Sequence, residues 1–340
     1  MKRIHWVLAG WIGVNGLLLA AGSGQAQRDL PMNRIKIGLV FDVGGLGDKS
    51  FNDAAYKGLM EAERRFDVVT RTIEPADGSD RESAIRQFAS QGFDLVIGVG
   101  FIFTDDMIAA ARRFPGVRFV TIDHVVIPDQ PPLPTNLLGI RFREQEGAFL
   151  VGALAGQVSQ THTVGFVGGM EIPLIRKFQA GYTAGVKHVC PQCRVYAAYA
   201  GSDPSAFADP TKGKELALAQ YDRGADIIFH ASGKTGVGVF NAARAQGKLA
   251  IGVDVDQFLE APCCVLSSML KGVDVAVRGS IGEVVEGRFQ GGVRELGLAE
   301  GGIGYVHDDR NRRWIPEAVR DRLEKLKNDI ITGALKVPVE

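Results

Sequence analysis

Residues 42–53 read DVGGLGDKSFND and follow the apolar run IKIGLVF at 35–41. Three glycines and a Lys-Ser pair between a strand-like run and a helix-like segment raise the question of phosphate binding. A Walker loop requires GxxxxGK[ST], so that successive backbone N–H groups wrap the phosphates. Here Asp48 precedes Lys49, and its charge opposes a phosphate. SGKTG at 232–236 contains Gly-Lys-Thr, but Ile228 occupies the earlier glycine position. Gly45 and Gly47 begin a GxGxxG spacing that Ser50 breaks. Both phosphate readings fail.

Other chemistry is sparse. The six histidines include no HExxH pair, and no GxSxG elbow is present, so neither a zincin helix nor a hydrolase nucleophile is expected. Three acids remain: Asp42, Asp123 and Asp254, each closing an apolar run. A single such Asp is more often a helix cap or a surface loop acid. Three at equivalent strand ends are suited to accepting hydrogen bonds from hydroxyls and ring N–H groups of an uncharged ligand.

The elements that must position them follow an alternating rhythm. RIKIGLVF (34–41), DVVTRTI (67–73), FDLVIGVG (93–100), VRFVTID (117–123) and NLLGIRF (136–142) read as strands. SFNDAAYKGLMEAERRF, SDRESAIRQFASQG, TDDMIAAARRF and REQEGAFLVGALAGQVS read as helices. After Pro-rich PDQPPLPT (128–135) the rhythm resumes with THTVGFVGG, a helix near 174–188, RVYAAYA, TKGKELALAQYDRG, ADIIFHAS, TGVGVFNAARAQG and KLAIGVDVD. Continuous apolar strands alternating with helices predict parallel sheets covered on both faces, an α/β fold. Two such series predict two doubly wound lobes. CCVLSSML (263–270), a helix over 272–286 and a last helix near 315–331 are too few for a third domain and are expected to cross back. The expected limits are 33–139 with 271–290 for one lobe and 140–270 with 291–340 for the other. Ligands of open α/β sheets bind beyond the strands' carboxyl ends, so the cleft between lobes is the expected site.

Composition bounds the rest. Hydrophobic residues make up 46% and charged residues 23% of 340, with a formal net charge of zero, which argues against a nucleic-acid surface. MKRIHWVLAGWIGVNGLLLAAGSGQAQ has two early cations, an apolar core and small residues, so residues 1–26 are expected to be a signal peptide cut after Ala26. No cysteine lies near that cut, so no lipid anchor is expected and the mature chain is expected to be soluble and periplasmic. Cys190 and Cys193 (CPQC) are expected to form a local disulfide. The adjacent Cys263 and Cys264 are expected to be buried thiols.

DVGGLGDKSFNDAAYKGL resembles the basic membrane protein family of ABC-transporter substrate-binding proteins, which includes purine nucleoside receptors. Further segments carry the resemblance in order: GVGF (98–101), TID (121–123), NLLGIRFREQEGAFLVGALAG (136–156), FADPTKGKELA (207–217), ASGKTGVGVF (231–240), GVDVDQ (252–257) and VLSSMLKGVDVAV (265–277). It implies a type I periplasmic binding protein fold: two Rossmann-like lobes joined by three crossovers, clamping a nucleoside. On that resemblance Asp42 and Asn52 address the base edge, and Phe51 and Phe207 stack on its faces. Asp123, Asp254, the Gly233 backbone and Lys271 hold the ribose. Many relatives are lipoproteins, whereas this leader lacks the lipobox cysteine, and GSDPSAFADP is longer before Phe207 than the family pattern. Outside the resemblance, Phe51 reads equally as a packing residue at a helix start, Asn52 as a cap, Gly233 as a tight turn and Lys271 as a surface charge.

The expected function is therefore capture of a purine nucleoside by hinge closure and delivery to an ABC permease, by a monomer, without cofactor, metal or covalent chemistry. Two alternatives stay open: a free purine base or other polar solute as ligand, and a secreted nucleoside hydrolase. The latter commonly uses an aspartate cluster around calcium, and no DxDxxxDD-like run is present.

Overall fold

A computed structural model describes residues 34–75, 80–126 and 131–340. The expected signal peptide and the first residues of the Pro-rich segment lie outside them. The first series is β1 (Ile35–Val40), α1 (Phe51–Arg65), β2 (Val68–Ile73), α2 (Arg81–Ser90), β3 (Leu95–Val99), α3 (Thr104–Arg113), β4 (Arg118–Ile122) and β5 (Leu137–Phe142). The second is α4 (Glu144–Val158), β6 (Thr163–Met170), α5 (Pro173–Val189), β7 (Arg194–Gly201), α6 (Pro210–Asp222), β8 (Ile227–Ala231), α7 (Gly236–Gln246), β9 (Leu249–Asp254) and β10 (Val265–Lys271). The chain closes with α8 (Val273–Val285), β11 (Gly292–Leu296), β12 (Ile303–Tyr305) and α9 (Glu317–Ile331).

Two six-stranded sheets result, ordered β11-β5-β4-β3-β1-β2 and β12-β10-β9-β8-β6-β7. Apart from β12, which runs antiparallel to β10, the strands pair in parallel. The central strands β3 (LVIGV) and β8 (IIFHA) are buried along their whole length, because helices cover both faces. In each sheet the order reverses at the first strand of its series, β1 or β6, which opens a crevice at the carboxyl ends. The chain passes between sheets three times: after β5, after β10 and after β11.

Strand pairing moves the expected lobe limits. β5 belongs to the first sheet through Phe142, and Lys271 ends a strand of the second. Residues 292–296, expected in the second lobe, pair with β5 in the first sheet. Neither β11 nor β12 carries a strand signal: GVREL alternates in exposure at a sheet edge, and IGY is three residues long. The disulfide Cys190–Cys193 is present. Cys263 and Cys264 correct the expectation of buried thiols. They are bonded to each other, in the turn before β10, with Cys263 exposed.

Helices α4 and α5 carry the floor of the second lobe's cleft, and they touch backbone to backbone. A Cβ on Gly185 would lie 2.0 Å from the Phe149 carbonyl oxygen and 2.8 Å from the Ala153 nitrogen. One on Gly152 would lie 2.1 Å from the Tyr182 carbonyl oxygen. Glycine is required there for proximity rather than for turning. The close approach fixes Glu144 at the start of α4 and Ile175 and Phe178 on α5. Gly185→Val should therefore destabilise the fold by about 1–3 kcal/mol or more through overpacking, read as a lower urea midpoint. Gly279→Ala is the control: Gly279 is exposed on α8 with open space at its Cβ, and alanine should stabilise by about 0.5–1 kcal/mol. An unchanged midpoint for Gly185→Val would contradict the helix contact.

Candidate functional site

All eight residues expected at the site, Asp42, Phe51, Asn52, Asp123, Phe207, Gly233, Asp254 and Lys271, line one cavity between the two sheets. As the two sheets stand, the free space inside it is about 60 Å³, well below the ~300–1,000 Å³ of most small-molecule sites. Asp42 follows β1, Asp123 follows β4 and Asp254 ends β9, so three carboxyl ends converge.

The glycine-rich loop builds its own wall. Asp48 is buried and caps α1: Oδ1 accepts from the Ser50 N–H (2.9 Å) and the Asp53 N–H (3.1 Å), and Oδ2 accepts from the Asn52 N–H (2.8 Å). Asn52 is fully engaged. Its Oδ1 accepts from the Asp42 N–H at 2.9 Å, and its Nδ2 donates to Asp48 Oδ2 at 3.0 Å and the Val43 carbonyl at 3.5 Å. These bonds make Asn52 a brace that orients Asp42. Asp42 Oδ2 lies 2.0 Å from where a Cβ on Gly100 would fall, so only glycine leaves room for the carboxylate.

The centre is Lys271, 2% exposed at the end of β10. Its Nζ lies 2.7 Å from Asp123 Oδ2 and 3.3 Å from Glu144 Oε1. The rings of Phe142, Phe51 and Phe178 surround it at 5.0, 5.1 and 5.6 Å, within cation–π range. Glu144, fully buried, also pairs with Lys177. Asp123 Oδ1 has no hydrogen-bond partner.

Asp123 and Asp254 adopt left-handed backbone at φ 62° and 66°. Such residues cost on the order of 1–3 kcal/mol and cluster where function over-determines the backbone. Phe207 ends a short 3-10 turn, Pro204–Phe207. Its ring packs over Gly169, where a Cβ would come within 2.2 Å, and meets Phe101 edge-on at 6.4 Å. Gly233 (φ 55°) turns under the Phe207 carbonyl.

Besides the Lys271–Asp123 pair, two further bonds join the lobes. Ser50 Oγ donates to Asp254 Oδ2, and Gln257 Nε2 donates to the Lys49 carbonyl at 2.7 Å. Gln257 is itself fixed, with Oε1 accepting from the Val253 N–H at 2.8 Å. Residue-level reading missed Phe101, Phe178, Ile175, Ser232 and Glu144, the first four lining the cavity. Phe101, Glu144, Ser232 and Gln257 lie within segments that carried the family resemblance. Phe178 had no signal beyond its helix.

Burial pushes the Asp42 carboxyl up to about 7, helped by the charges of Asp123 and Asp48. Burial likewise pushes Asp254 up to about 6, against the opposing pull of Lys271. Asp48 and Asp123 are raised by desolvation too, whereas the surrounding carboxylates hold Lys271 above its usual value. Between pH about 4 and 7 the folded chain therefore binds more protons at Asp42 and Asp254 than the unfolded chain does. Their contribution to stability is fully present below pH about 4 and is lost as pH rises through 6 and 7. Asp42→Asn with Asp254→Asn should flatten the fall of the urea midpoint between pH 5 and 7.5. A double variant with the parent's slope would refute the assignment. Lys271→Met should cost about 3–5 kcal/mol, because it strands buried carboxylates.

The sequence matches the family model described as ABC transporter substrate-binding protein PnrA-like over residues 35–340. Basic membrane protein A of Borreliella burgdorferi is 33% identical, over 94% of this chain and 91% of that protein. The ABC transporter nucleoside-binding protein BmpA of Lactococcus lactis subsp. cremoris is 32% identical, over 93% of this chain and 91% of that protein. A crystal structure of ABC transporter system solute-binding proteins from Aeropyrum pernix K1 superposes with a TM-score of 0.82 at 31% identity, covering 90% and 94% of the two chains. No helix among the described residues is long and apolar enough to cross a membrane.

Proposed function

Because the chain belongs to the PnrA-like family of ABC transporter substrate-binding proteins, we propose that it captures a purine nucleoside between its lobes and delivers it to an ABC permease. The observation that carries this reading is the meeting, in one cleft, of aromatic rings with a charged cluster gathered from both sheets. Phe51, from the first lobe, and Phe207, from the second, flank the base. Asp42 accepts from the base edge, and Asn52 holds Asp42 in place. Asp123, Asp254 and Lys271 bind the ribose hydroxyls, with the Gly233 backbone beside them.

The nucleoside-binding relative from Lactococcus lactis supports the ligand class. An ionised Asp42 favours inosine and guanosine, whose N1–H is a donor, over adenosine, whose N1 is an acceptor. The protein works as an exported monomer, the leader being removed after Ala26, and binding involves no covalent step.

Calorimetric titration tests the reading. Inosine and guanosine should bind more tightly than adenosine, and hypoxanthine more weakly than inosine. Phe207→Ala or Phe51→Ala should each cost about 1–3 kcal/mol, the worth of one stacked base. Inosine affinity should fall as pH drops below about 7, where Asp42 takes up its proton, and Asp42→Asn should remove most of that dependence. Preferred adenosine binding would overturn the base-edge assignment. Undiminished affinity in Asp254→Ala and Asp123→Ala would point to a free base. Release of hypoxanthine from inosine would turn the reading to a hydrolase.

A further inference from the structure

The second lobe carries a separate cluster of metal-ligating atoms. His162, in the turn before β6, places Nδ1 3.8 Å from Cys190 Sγ and 3.8 Å from Cys193 Sγ. The three ligand atoms lie within 4.8 Å of one another, and they have no part in the cleft described above. We propose that His162, Cys190 and Cys193 form a redox-gated site for a thiophilic divalent ion of the Zn²⁺ type, empty while the sulfurs are bonded and formed when a thiol reductant opens them.

The geometry favours this over a bystander histidine. Zinc binds thiolate at about 2.3 Å and imidazole at about 2.0–2.1 Å in a tetrahedral arrangement. Those lengths require an N···S separation of about 3.6 Å, close to the 3.8 Å already present at both sulfurs. Only the two sulfurs have to separate, and breaking their bond frees both side chains to rotate.

The backbone around the site is held independently of the disulfide. Cys190 N–H caps α5 by donating to the Val186 carbonyl at 2.8 Å, and Cys193 N–H donates to the Cys190 carbonyl at 3.0 Å. Lys187 Nζ donates to the Cys193 carbonyl at 2.6 Å and the Pro191 carbonyl at 3.1 Å. His162 holds a left-handed backbone at φ 54°, pinned by the Arg194 N–H donating to its carbonyl at 2.8 Å. Both sulfurs belong to buried residues while His162 is exposed, so the histidine side is the entry path and leaves the fourth ligand position to water.

The chemistry balances. A dithiol gives two electrons and two protons to the Cys190–Cys193 bond and becomes a disulfide. Metal binding then releases both thiol protons to solvent, and His162 supplies the Nδ1 lone pair with its proton on Nε2. Two thiolates and one neutral imidazole around a divalent ion give a site of zero net charge, which suits a buried turn.

The test uses the full mature chain carrying Cys263→Ser and Cys264→Ser, which removes the other reducible pair. It is reduced with a phosphine, which has no thiol to compete for metal, and titrated with Zn²⁺ while circular dichroism follows the fold. The reduced chain should hold one zinc per chain and the oxidised chain none. His162→Ala should weaken binding by about tenfold or more, since even outer-shell partners are worth about 10–100-fold. Cys190→Ser with Cys193→Ser should abolish it. Absence of zinc from the reduced chain, unchanged affinity in His162→Ala, or a reduced chain that loses its fold and does not recover it with zinc would each overturn the proposal.

Discussion

One ammonium group organises this cleft. Taking Lys271 out of water costs on the order of several kcal/mol even after relaxation, so it persists only because carboxylates meet it from both sides. Asp123 comes from the first sheet and Glu144 from the start of α4, immediately beyond the first crossover. Lys271 itself stands where the chain leaves the second sheet for the first. The charge cluster thus sits on two of the three connections between the lobes, and the site cannot be altered without touching the hinge. Three phenyl rings close around the cation and keep it dry, which strengthens each ion pair and makes an unpaired carboxylate more costly.

The cost of that arrangement is distributed elsewhere in the fold. Asp123 and Asp254 are held in left-handed backbone, and the half-buried Asp42 and buried Asp254 carboxyls are held where desolvation raises them. The surrounding structure tolerates this because its packing is rigid. Glycine contacts clamp α4 to α5, and Gly100 leaves only the space that the Asp42 carboxylate fills. Asn52 and Asp48 spend their whole hydrogen-bonding capacity on shaping one loop. A rigid frame allows a few groups to be kept in states they would not choose in water.

What the sequence disclosed, and what it withheld, follows from this division. The alternating strands and helices were readable because buried parallel strands are continuously apolar, as in LVIGV and IIFHA. β11 and β12 were not, because GVREL is at most half-buried along its length and IGY is three residues long, so neither forms an apolar run. Asp42, Asp123 and Asp254 stood out as acids ending apolar strands, a local signal. Lys271, Phe51 and Phe207 acquired meaning only through the family resemblance, since their company comes from remote segments. Asn52 illustrates the difference between presence and role: it lines the cavity, yet its amide is engaged within its own loop. The interlobe bond from Gln257 to the Lys49 carbonyl joins two segments that carried the resemblance, yet their pairing was not readable, because its acceptor is a backbone atom.

The same electrostatics explains how binding and closure are coupled. A ligand shifts an equilibrium between open and closed forms only by the difference in its affinity for them. Burial raises the proton affinity of Asp42, Asp48, Asp123 and Asp254, and the charges of Asp48 and Asp123 raise Asp42 and Asp254 further. On the proposed reading, that desolvation opposes closure when the cleft holds no donor. A ligand rich in hydroxyl and ring N–H donors relieves that cost only when both lobes reach it at once. Its hydrogen bonds are, on the proposed reading, worth most in the closed state, and that difference drives the hinge. An apolar ligand of equal size would leave the acids as they were.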